Sequence, residues 1–341
     1  MDRRADFQRL ADFSLTILKA SGADPESAEA TTWAVMHASL LGVDSHGIRL
    51  LPFYADSLTT GLVKKNPKIT VSYPRRSAAL IDADGGFGHL PTYRAMDEAC
   101  TIARETGIGM GAVINSTHFG AAGAYALAAA EAGFIGFATC NSGAFVVPFE
   151  GHRPIHGTNP IALAAPAKGR APFLLDMATS AIPWNKVMRY RSEDLKLPGG
   201  AALDAQGNFT TDPHAAAMLG PLGGEDFGYK GAALAGLAEI LGGILGGMRL
   251  STGQDGTNMG DTSVGHFVMA IDPTTFIGEA VFDGKMNAYL DGFADQPPAM
   301  PAGGPQWKTR EERTRLGIPL PAGLYRELEE AARKAQVGFT L

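Results

Sequence analysis

Cysteine is almost missing from this chain. Cys100 and Cys140 are the only two, each inside an apolar pattern, so there is no disulfide framework or cysteine-rich zinc site to build. Two buried thiols in a reducing compartment are expected, and with them a cytoplasmic protein. Charge is also sparse, at 19% of residues, with a formal net charge of −6 and no long basic run, which argues against a nucleic-acid partner. No secretory signal is expected: polar and charged residues interrupt the stretch that follows Arg3 and Arg4. The nearest approach to a membrane span is Gly231 to Met248, but Glu239 and several glycines interrupt it. It is expected to be a buried core helix, packed closely at its glycines, and no membrane partner is expected. The dinucleotide fingerprint is missing as well. Gly107 to Ala112 fits G-x-G-x-x-A by letter, yet it follows a helix pattern and leads into a strand, the reverse of the context in which that motif binds phosphate. His152 and His156 are spaced for a helical metal pair, but Pro154 lies between them, so no metal is expected.

What is present is a 341-residue chain with 45% hydrophobic residues, enough for a sizeable core. Helical periodicity covers Phe7 to Leu18. Asp24-Pro25-Glu26 opens a second helix running to about Leu41, and Ile48 to Leu58 a third that ends at Gly61. Strand patterns follow at Ile69–Tyr73, Ala78–Asp82, Gly109–Asn115, Phe134–Cys140, Ile161–Ala165, Phe173–Met177 and Gly265–Ile271. Helices are predicted for Pro91–Thr106 and Gly120–Ala132, from Asp272-Pro273 to about Phe293, and for Tyr325–Ala335, with a Pro/Gly-rich loop over Gln296–Pro305. Strands and helices do not alternate cleanly, so a regular doubly wound sheet is not expected. The division predicted is a helical region of residues 1–65 plus 305–341 for substrate binding and dimerisation, and a mixed-sheet cofactor region of residues 66–304.

The stretch Asp44-Ser45-His46-Gly47-Ile48-Arg49 carries the first chemical signal. If a helix restarts at Gly47, His46 and Arg49 face one cleft, because residues three apart share a helix face. Arginine grips a carboxylate through two parallel hydrogen bonds, and histidine exchanges a proton near neutral pH. The pair suits a 2-oxo or 2-hydroxy acid. Taken alone, the same hexapeptide reads better as an ordinary helix cap at Asp44 or Ser45 beside a solvated Arg49.

Further stretches resolve that ambiguity. They are Asn115-Ser116-Thr117-His118-Phe119-Gly120, Gly157-Thr158-Asn159-Pro160-Ile161-Ala162, Leu175-Asp176-Met177-Ala178-Thr179-Ser180, Thr210-Thr211-Asp212-Pro213 and Gly228-Tyr229-Lys230-Gly231. With Ser45-His46-Gly47, their order and spacing resemble the malate/L-lactate dehydrogenase type 2 family, from about residue 5 to the carboxyl end. Sulfolactate and ureidoglycolate dehydrogenases, diketogulonate reductases and Δ1-piperideine-2-carboxylate reductases are similar to it. The resemblance implies an α/β, non-Rossmann fold, with a mixed, largely antiparallel sheet flanked by helices as in L-sulfolactate dehydrogenase. It also implies a nicotinamide cofactor and a homodimer. The cofactor would carry the hydride chemistry, and the protein would supply orientation and proton transfer.

Roles follow residue by residue. His46 matches the family's catalytic histidine, acid in reduction and base in oxidation. Arg49 is the candidate carboxylate clamp, and Ser45 a substrate or cofactor contact, or else a helix cap. His118 is a second candidate for the proton. We assign the proton to His46, and to His118 a contact with substrate or nicotinamide. Thr158 is placed at the substrate. Asn141, Ser142, Asn159, Met177, Ala178, Lys230 and Gly303 are placed at the cofactor, with Lys230 offered to phosphate. Asp176 ends an apolar strand, where a buried carboxylate needs a partner; it either orients His46, binds cofactor, or makes a structural hydrogen bond. The chain departs from the family at Glu150, at Pro183-Trp184-Asn185-Lys186 and at Gly303-Gly304-Pro305, which leaves the individual substrate open.

The function expected is interconversion of a small 2-oxo acid and its 2-hydroxy acid with NAD or NADP. The alternative is reduction of a cyclic imino acid, with hydride going to a C=N carbon. A hydrolase built from Asp44, Ser45 and His46 is disfavoured, because sequence neighbours rarely form such a relay. Glu150 suggests a small preference for NAD, since a carboxylate beside the adenosine ribose hydrogen-bonds its free hydroxyl and repels a phosphate there. Arg153, Lys168 and Arg170 weigh against that preference if they reach the same place.

Overall fold

The computed structural model describes residues 3–254 and 263–341. The chain opens with β1 (Arg3–Ala5), α1 (Phe7–Ala20), α2 (Pro25–Leu40), a 3-10 turn (Ile48–Leu50) and α3 (Leu51–Thr60). The caps explain the boundaries. Asp6 accepts from the backbone N–H groups of Gln8 and Arg9, and Asp24 from that of Ser27, with Pro25 at the first helical turn. Each such cap is worth about 1 kcal/mol. Gly61 ends α3 in the left-handed conformation.

The sheet-forming part follows with β2 (Thr70–Arg75), β3 (Ala78–Asp82), α4 (His89–Thr106), β4 (Ile108–Ser116), α5 (Gly123–Glu131), β5 (Ile135–Cys140), β6 (Ile161–Ala165) and β7 (Phe173–Met177). After it come α6 (Trp184–Ser192), β8 (Ala202–Leu203), β9 (Phe209–Thr210), β10 (Met218–Leu219), α7 (Gly224–Ala238), β11 (Val264–Ile271), α8 (Glu279–Ala294), α9 (Gly304–Leu316), β12 (Ile318–Leu320) and α10 (Ala322–Lys334). The main sheet has seven strands in the order β2-β3-β4-β11-β5-β6-β7. Only β3 and β4 are parallel; every other neighbouring pair is antiparallel. The mixed, largely antiparallel sheet implied by the family resemblance is therefore present. Separate small sheets pair β1 with β12 and join β10, β8 and β9.

Glycine sets how closely helices lie on this sheet. A side chain at Gly109 would reach within 2.1 Å of the Ala99 carbonyl on α4, and one at Gly136 within 2.5 Å of the Ala126 carbonyl on α5. Alanine-rich α5 and the buried face of α4 thus pack backbone to backbone against β4 and β5. A second core joins α1, α3 and α10 through Leu10, Phe13, Ile17, Leu51, Leu58 and Leu328. Tyr54 belongs to it and is fully buried. Cys100 and Cys140 are both buried and free.

Several expectations need correction. The segment Gly231 to Met248 is not a single buried helix. Its helix, α7, starts earlier, at Gly224, and passes at Glu239–Ile244 into a π-helical turn. One face packs through glycine: Gly231 lies on Leu222, and Gly242 lies on Cys140 and Asn141. The other face leaves Leu237, Ile240, Ile244 and Leu245 exposed. Among the described residues no helix is long and apolar enough to cross a membrane. The helix expected from Asp272-Pro273 begins only at Glu279, because the Asp272 carboxylate takes the Thr274 N–H and closes a local turn. Helix α9 replaces part of the expected tail loop. It starts behind Gly303, carries Pro305 in its first turn, and is too polar to show an apolar stripe.

His89 and His266 are fully enclosed, and burial lowers both pKa values to about 3, with the charge of His266 adding to the effect at His89. Unfolded histidines titrate near 6.5, so below that pH the unfolded chain binds more protons and stability falls as pH falls. Urea unfolding between pH 7 and 4.5 should show a loss of up to about 1.4 kcal/mol per pH unit for each histidine. A flat stability profile over that window would show that the two rings are not held neutral.

Candidate active site

The site lies at the end of the sheet where β4, β5 and β7 finish and β6 and β11 begin. Register fixes this: Ser116 faces Val264, Cys140 faces His266, Thr139 faces Ile161, and Ile161 faces Met177. His118 projects from the turn after β4. The loop carrying Ser45 and His46 meets it from the helical side.

Three contacts hold that loop. Arg313 on α9 forks onto Asp44 at 2.5 and 2.9 Å and also donates to the Ser39 carbonyl. Ser39 Oγ accepts from the Ile48 N–H at 2.8 Å. Gly47 lies on Ser39 so closely that a Cβ would sit 2.5 Å from its hydroxyl. His46 is thereby placed with its ring parallel to that of His118, 5.7 Å between centroids and 14° between planes. Ser45 Oγ bonds His46 Nδ1 at 2.8 Å. A serine and a histidine adjacent in sequence thus do meet, contrary to expectation, but Asp44 is engaged by Arg313 and supplies no third member of a hydrolytic relay. Arg49 is exposed and has no ion-pair partner among the described residues. The chain enters a 3-10 turn at Ile48 instead of an α-helix, and His46 and Arg49 flank its start.

Burial is the dominant electrostatic fact. It lowers the His46 pKa to about 4. It drives His118 well below its ordinary value, helped by the charges of His46, His89 and His266. Both rings are neutral at pH 7. Tyr54 reaches out of the helical core to bond His118 Nδ1 at 2.8 Å, and the Gly120 N–H donates to the same nitrogen at 3.3 Å. Behind them, His89 Nδ1 bonds Thr31 and His266 Nε2 bonds Ser116. Sequence reasoning passed over Tyr54, His89 and His266, because their partners lie 64, 58 and 150 residues away and no local pattern marks them.

The residues assigned to the cofactor divide into struts and surface. Asn141 is fully buried; its amide donates to the Arg249 carbonyl and accepts from the Gly265 N–H. Asn159 is also buried, donating to the Ala235 carbonyl and to Glu239 and accepting from the Ser142 N–H. Glu239, in the π-helical turn, further accepts from the Ser251 N–H and hydroxyl. These side chains shape the β5–β6 end from within. Thr158 offers its carbonyl to Thr179. Asp176 lies against Gly123 at the start of α5 and accepts its N–H; burial raises its pKa to about 6 against that bond. The structural bond is therefore present, and among the described residues no contact with either histidine accompanies it. Met177 and Ala178 are partly exposed at the strand end. Lys230 is exposed on α7, with its ammonium over the rings of Phe227 and Tyr229. Gly303 is not brought to this end: it packs on Leu174, at the opposite end of β7 from Ala178.

The donor set suits a dinucleotide and a small acid. It offers neutral imidazoles, a cation free to meet phosphate, a second cation free to meet carboxylate, and a rigid sheet end. Among the described residues, no three His, Cys, Asp or Glu side chains cluster to hold a metal.

Comparison with known proteins agrees with this geometry. The malate/L-lactate dehydrogenase family profile matches residues 5–329. The chain is 39% identical to malate dehydrogenase of Pyrococcus abyssi, over 96% of this chain and 94% of that protein. Among solved structures, sulfolactate dehydrogenase from Methanocaldococcus jannaschii superposes with a TM-score of 0.90 at 30% identity, covering 98% of both chains. Δ1-Piperideine-2-carboxylate reductase from Pseudomonas syringae superposes at 0.87 with 28% identity, over 97% of this chain and 100% of the other. Matches spanning nearly the whole chain, on a fold with this sheet order, establish that the chain belongs to the malate/L-lactate dehydrogenase family and is an oxidoreductase of 2-hydroxy acids that uses a nicotinamide cofactor.

Proposed function

We propose that this enzyme interconverts a small 2-oxo acid and its 2-hydroxy acid, with NAD as the preferred cofactor. The observation that carries this reading is the pair of stacked, neutral histidines, His46 and His118, with His46 on the loop that leads three residues on into the exposed Arg49, which has no ion-pair partner among the described residues. Arg49 would hold the substrate carboxylate through two parallel hydrogen bonds. His118 would fix the oxygen on the neighbouring carbon. His46 would carry the proton, taking it from the hydroxyl in oxidation and returning it in reduction. Its neutrality at pH 7 suits the first task. When bound, the nicotinamide supplies or removes the hydride. Lys230 would meet its phosphates, and the end of β7 at Met177 and Ala178 would lie along it, on a surface held by Asn141, Asn159 and the Ser142 main chain.

A cyclic imino acid is the second candidate substrate, favoured by the likeness to the piperideine-2-carboxylate reductase. It presents the same carboxylate to Arg49 and a C=N carbon in place of C=O. Steady-state kinetics over 2-oxo acids and cyclic imines decides between them. With the accepted substrate, His46→Ala should lower turnover by roughly 10²–10⁴-fold and leave cofactor affinity nearly unchanged. Arg49→Lys should mainly raise KM, because an ammonium lacks the two-pronged contact. Near-normal turnover in His46→Ala would remove it as the proton carrier.

The NAD preference rests on Glu150. Phe149 packs edge-on against Tyr229, 5.7 Å between centroids, which brings the loop of Glu150 beside the Lys230 end of α7. Glu150 and Glu225 line one cavity of about 210 Å³ there. Two of the three competing cations are engaged elsewhere: Lys168 pairs with Asp283 and Glu279, and Arg170 with Asp291, all on α8; Arg153 stays exposed three residues from Glu150 and weighs against the preference. A phosphate on the adenosine ribose would therefore meet carboxylate. Wild type should show the higher kcat/KM with NADH, and Glu150→Gly should narrow the gap. A wild-type preference for NADPH, or an unchanged ratio in the variant, defeats this assignment.

A homodimer is supported by the exposed apolar stripe on α7 and the π-helical turn, where Ile240, Ile244 and Leu245 are each more than half exposed. Light scattering should give twice the chain mass, and Ile244→Asp should shift the distribution towards monomer. A fully active monomer at every concentration would contradict it.

A further inference from the structure

The two histidines are held by different kinds of neighbour, and the difference assigns their protons. His118 Nδ1 faces two groups. One is the Gly120 main-chain N–H at 3.3 Å, which can only donate. The other is the Tyr54 hydroxyl at 2.8 Å. An imidazole nitrogen that accepts from a main-chain N–H carries no proton of its own, so the Tyr54 hydroxyl must donate as well. The ring proton of neutral His118 then sits on Nε2. His46 has no such constraint: its Nδ1 partner is Ser45 Oγ, a hydroxyl that can donate or accept.

We propose that Tyr54 and the Gly120 N–H together lock His118 in the Nε2–H tautomer, so that it serves the reaction as a fixed hydrogen-bond donor and not as the proton carrier. Tyr54 is a positioning residue acting through His118; the part concerning catalysis rests on the placement of His118 at the substrate. In this tautomer His118 cannot accept a proton at Nε2 during oxidation, because that position is filled. Protonating Nδ1 instead would turn an N–H towards the Gly120 N–H. Nor can Nε2 release its proton by drawing one from Tyr54, because burial holds the phenol far above its ordinary pKa and a tyrosinate would be stranded in an apolar core. What remains is polarisation of the substrate oxygen by a neutral imidazole. Tyr54 is well placed to make the lock rigid. It is fully buried, with its ring edge-on to Phe87 and His89 at 5.2 and 5.0 Å, so its hydroxyl has little freedom to turn away.

The test is long-range proton–nitrogen NMR of the ¹⁵N-labelled full-length protein near neutral pH, with the His118 signals identified by their loss in His118→Asn. Wild type should show His118 protonated at Nε2 alone. Tyr54→Phe should move that signature towards the other tautomer or an average of both. It should lower kcat by about 10- to 100-fold, the rate equivalent of one hydrogen bond to a buried polar group, while KM and the thermal midpoint change little. Detection of Nδ1–H or a doubly protonated ring in wild type overturns the proposal, and needs no variant to fold. An unchanged signature and unchanged kcat in Tyr54→Phe overturn it too. Full turnover in His118→Asn would overturn the catalytic half by removing His118 from the reaction, and the tautomer, measured without substrate, would still be judged on the wild-type spectrum.

Discussion

Enclosure of four imidazoles at the seam between the helical core and the end of the sheet governs most of what this molecule can do; His89 and His266 are fully buried, and His46 and His118 keep part of their surface exposed. The seam is made from both sides. Tyr54 and the His46 loop come from the first sixty residues, while His118, His89 and His266 come from the sheet and the helix beside it. None of these rings is paired with a carboxylate, so their pKa values are set by desolvation, and all four histidines are neutral near pH 7. A neutral imidazole is both a donor and an acceptor, and which nitrogen does which depends on its partner. Hydroxyl and main-chain groups take the place here that carboxylates hold in a charged relay. The arrangement trades stability at acid pH for rings that keep one protonation state across the neutral range.

Rigidity at the site comes from short distances elsewhere. Glycine in β4 and β5 lets α4 and α5 approach the strands at backbone contact, and Gly242 does the same for the π-helical turn on the opposite face. That turn carries Glu239 into the interior, where it accepts from Ser251 and Asn159. Asn159 in turn accepts from the Ser142 N–H. A buried carboxylate is expensive unless its lone pairs are used, and here three donors use them. The strand ends that form the site are therefore braced from both faces of the sheet.

Much of the fold was legible because the signals were local. Asp24-Pro25-Glu26 predicts where α2 begins, Gly61 where α3 ends, and the apolar runs at Ala78–Asp82, Ile161–Ala165 and Phe173–Met177 coincide with β3, β6 and β7. Elements without an apolar period were not: α9 has only Trp307 and Leu316 among polar and charged residues, and β8 to β10 are two residues each. The stretch around Glu239 misled for a subtler reason. Its composition signals burial, yet its glycines bury one face only and leave a row of isoleucine and leucine outside. Composition counts apolar residues without saying which side they occupy.

The site divides along the same line. His46, Arg49 and His118 were visible because short motifs surround them. What those motifs hid is the part set by distant partners. Asp44 looks like a relay member until Arg313, 269 residues away, claims it. Asp176 looks like a partner for histidine until its carboxylate is found against Gly123. Asn141 and Asn159 look like ligand contacts, and their amides also bond main chain and, for Asn159, Glu239. In each case the residue is where the motif places it, and part of its hydrogen-bonding capacity goes to a distant partner. A motif fixes which residues arrive at a site. Which of them still has a free atom to offer is decided by tertiary contacts, and here those contacts leave Arg49, Lys230 and one ring nitrogen of each site histidine with no protein hydrogen bond among the described residues.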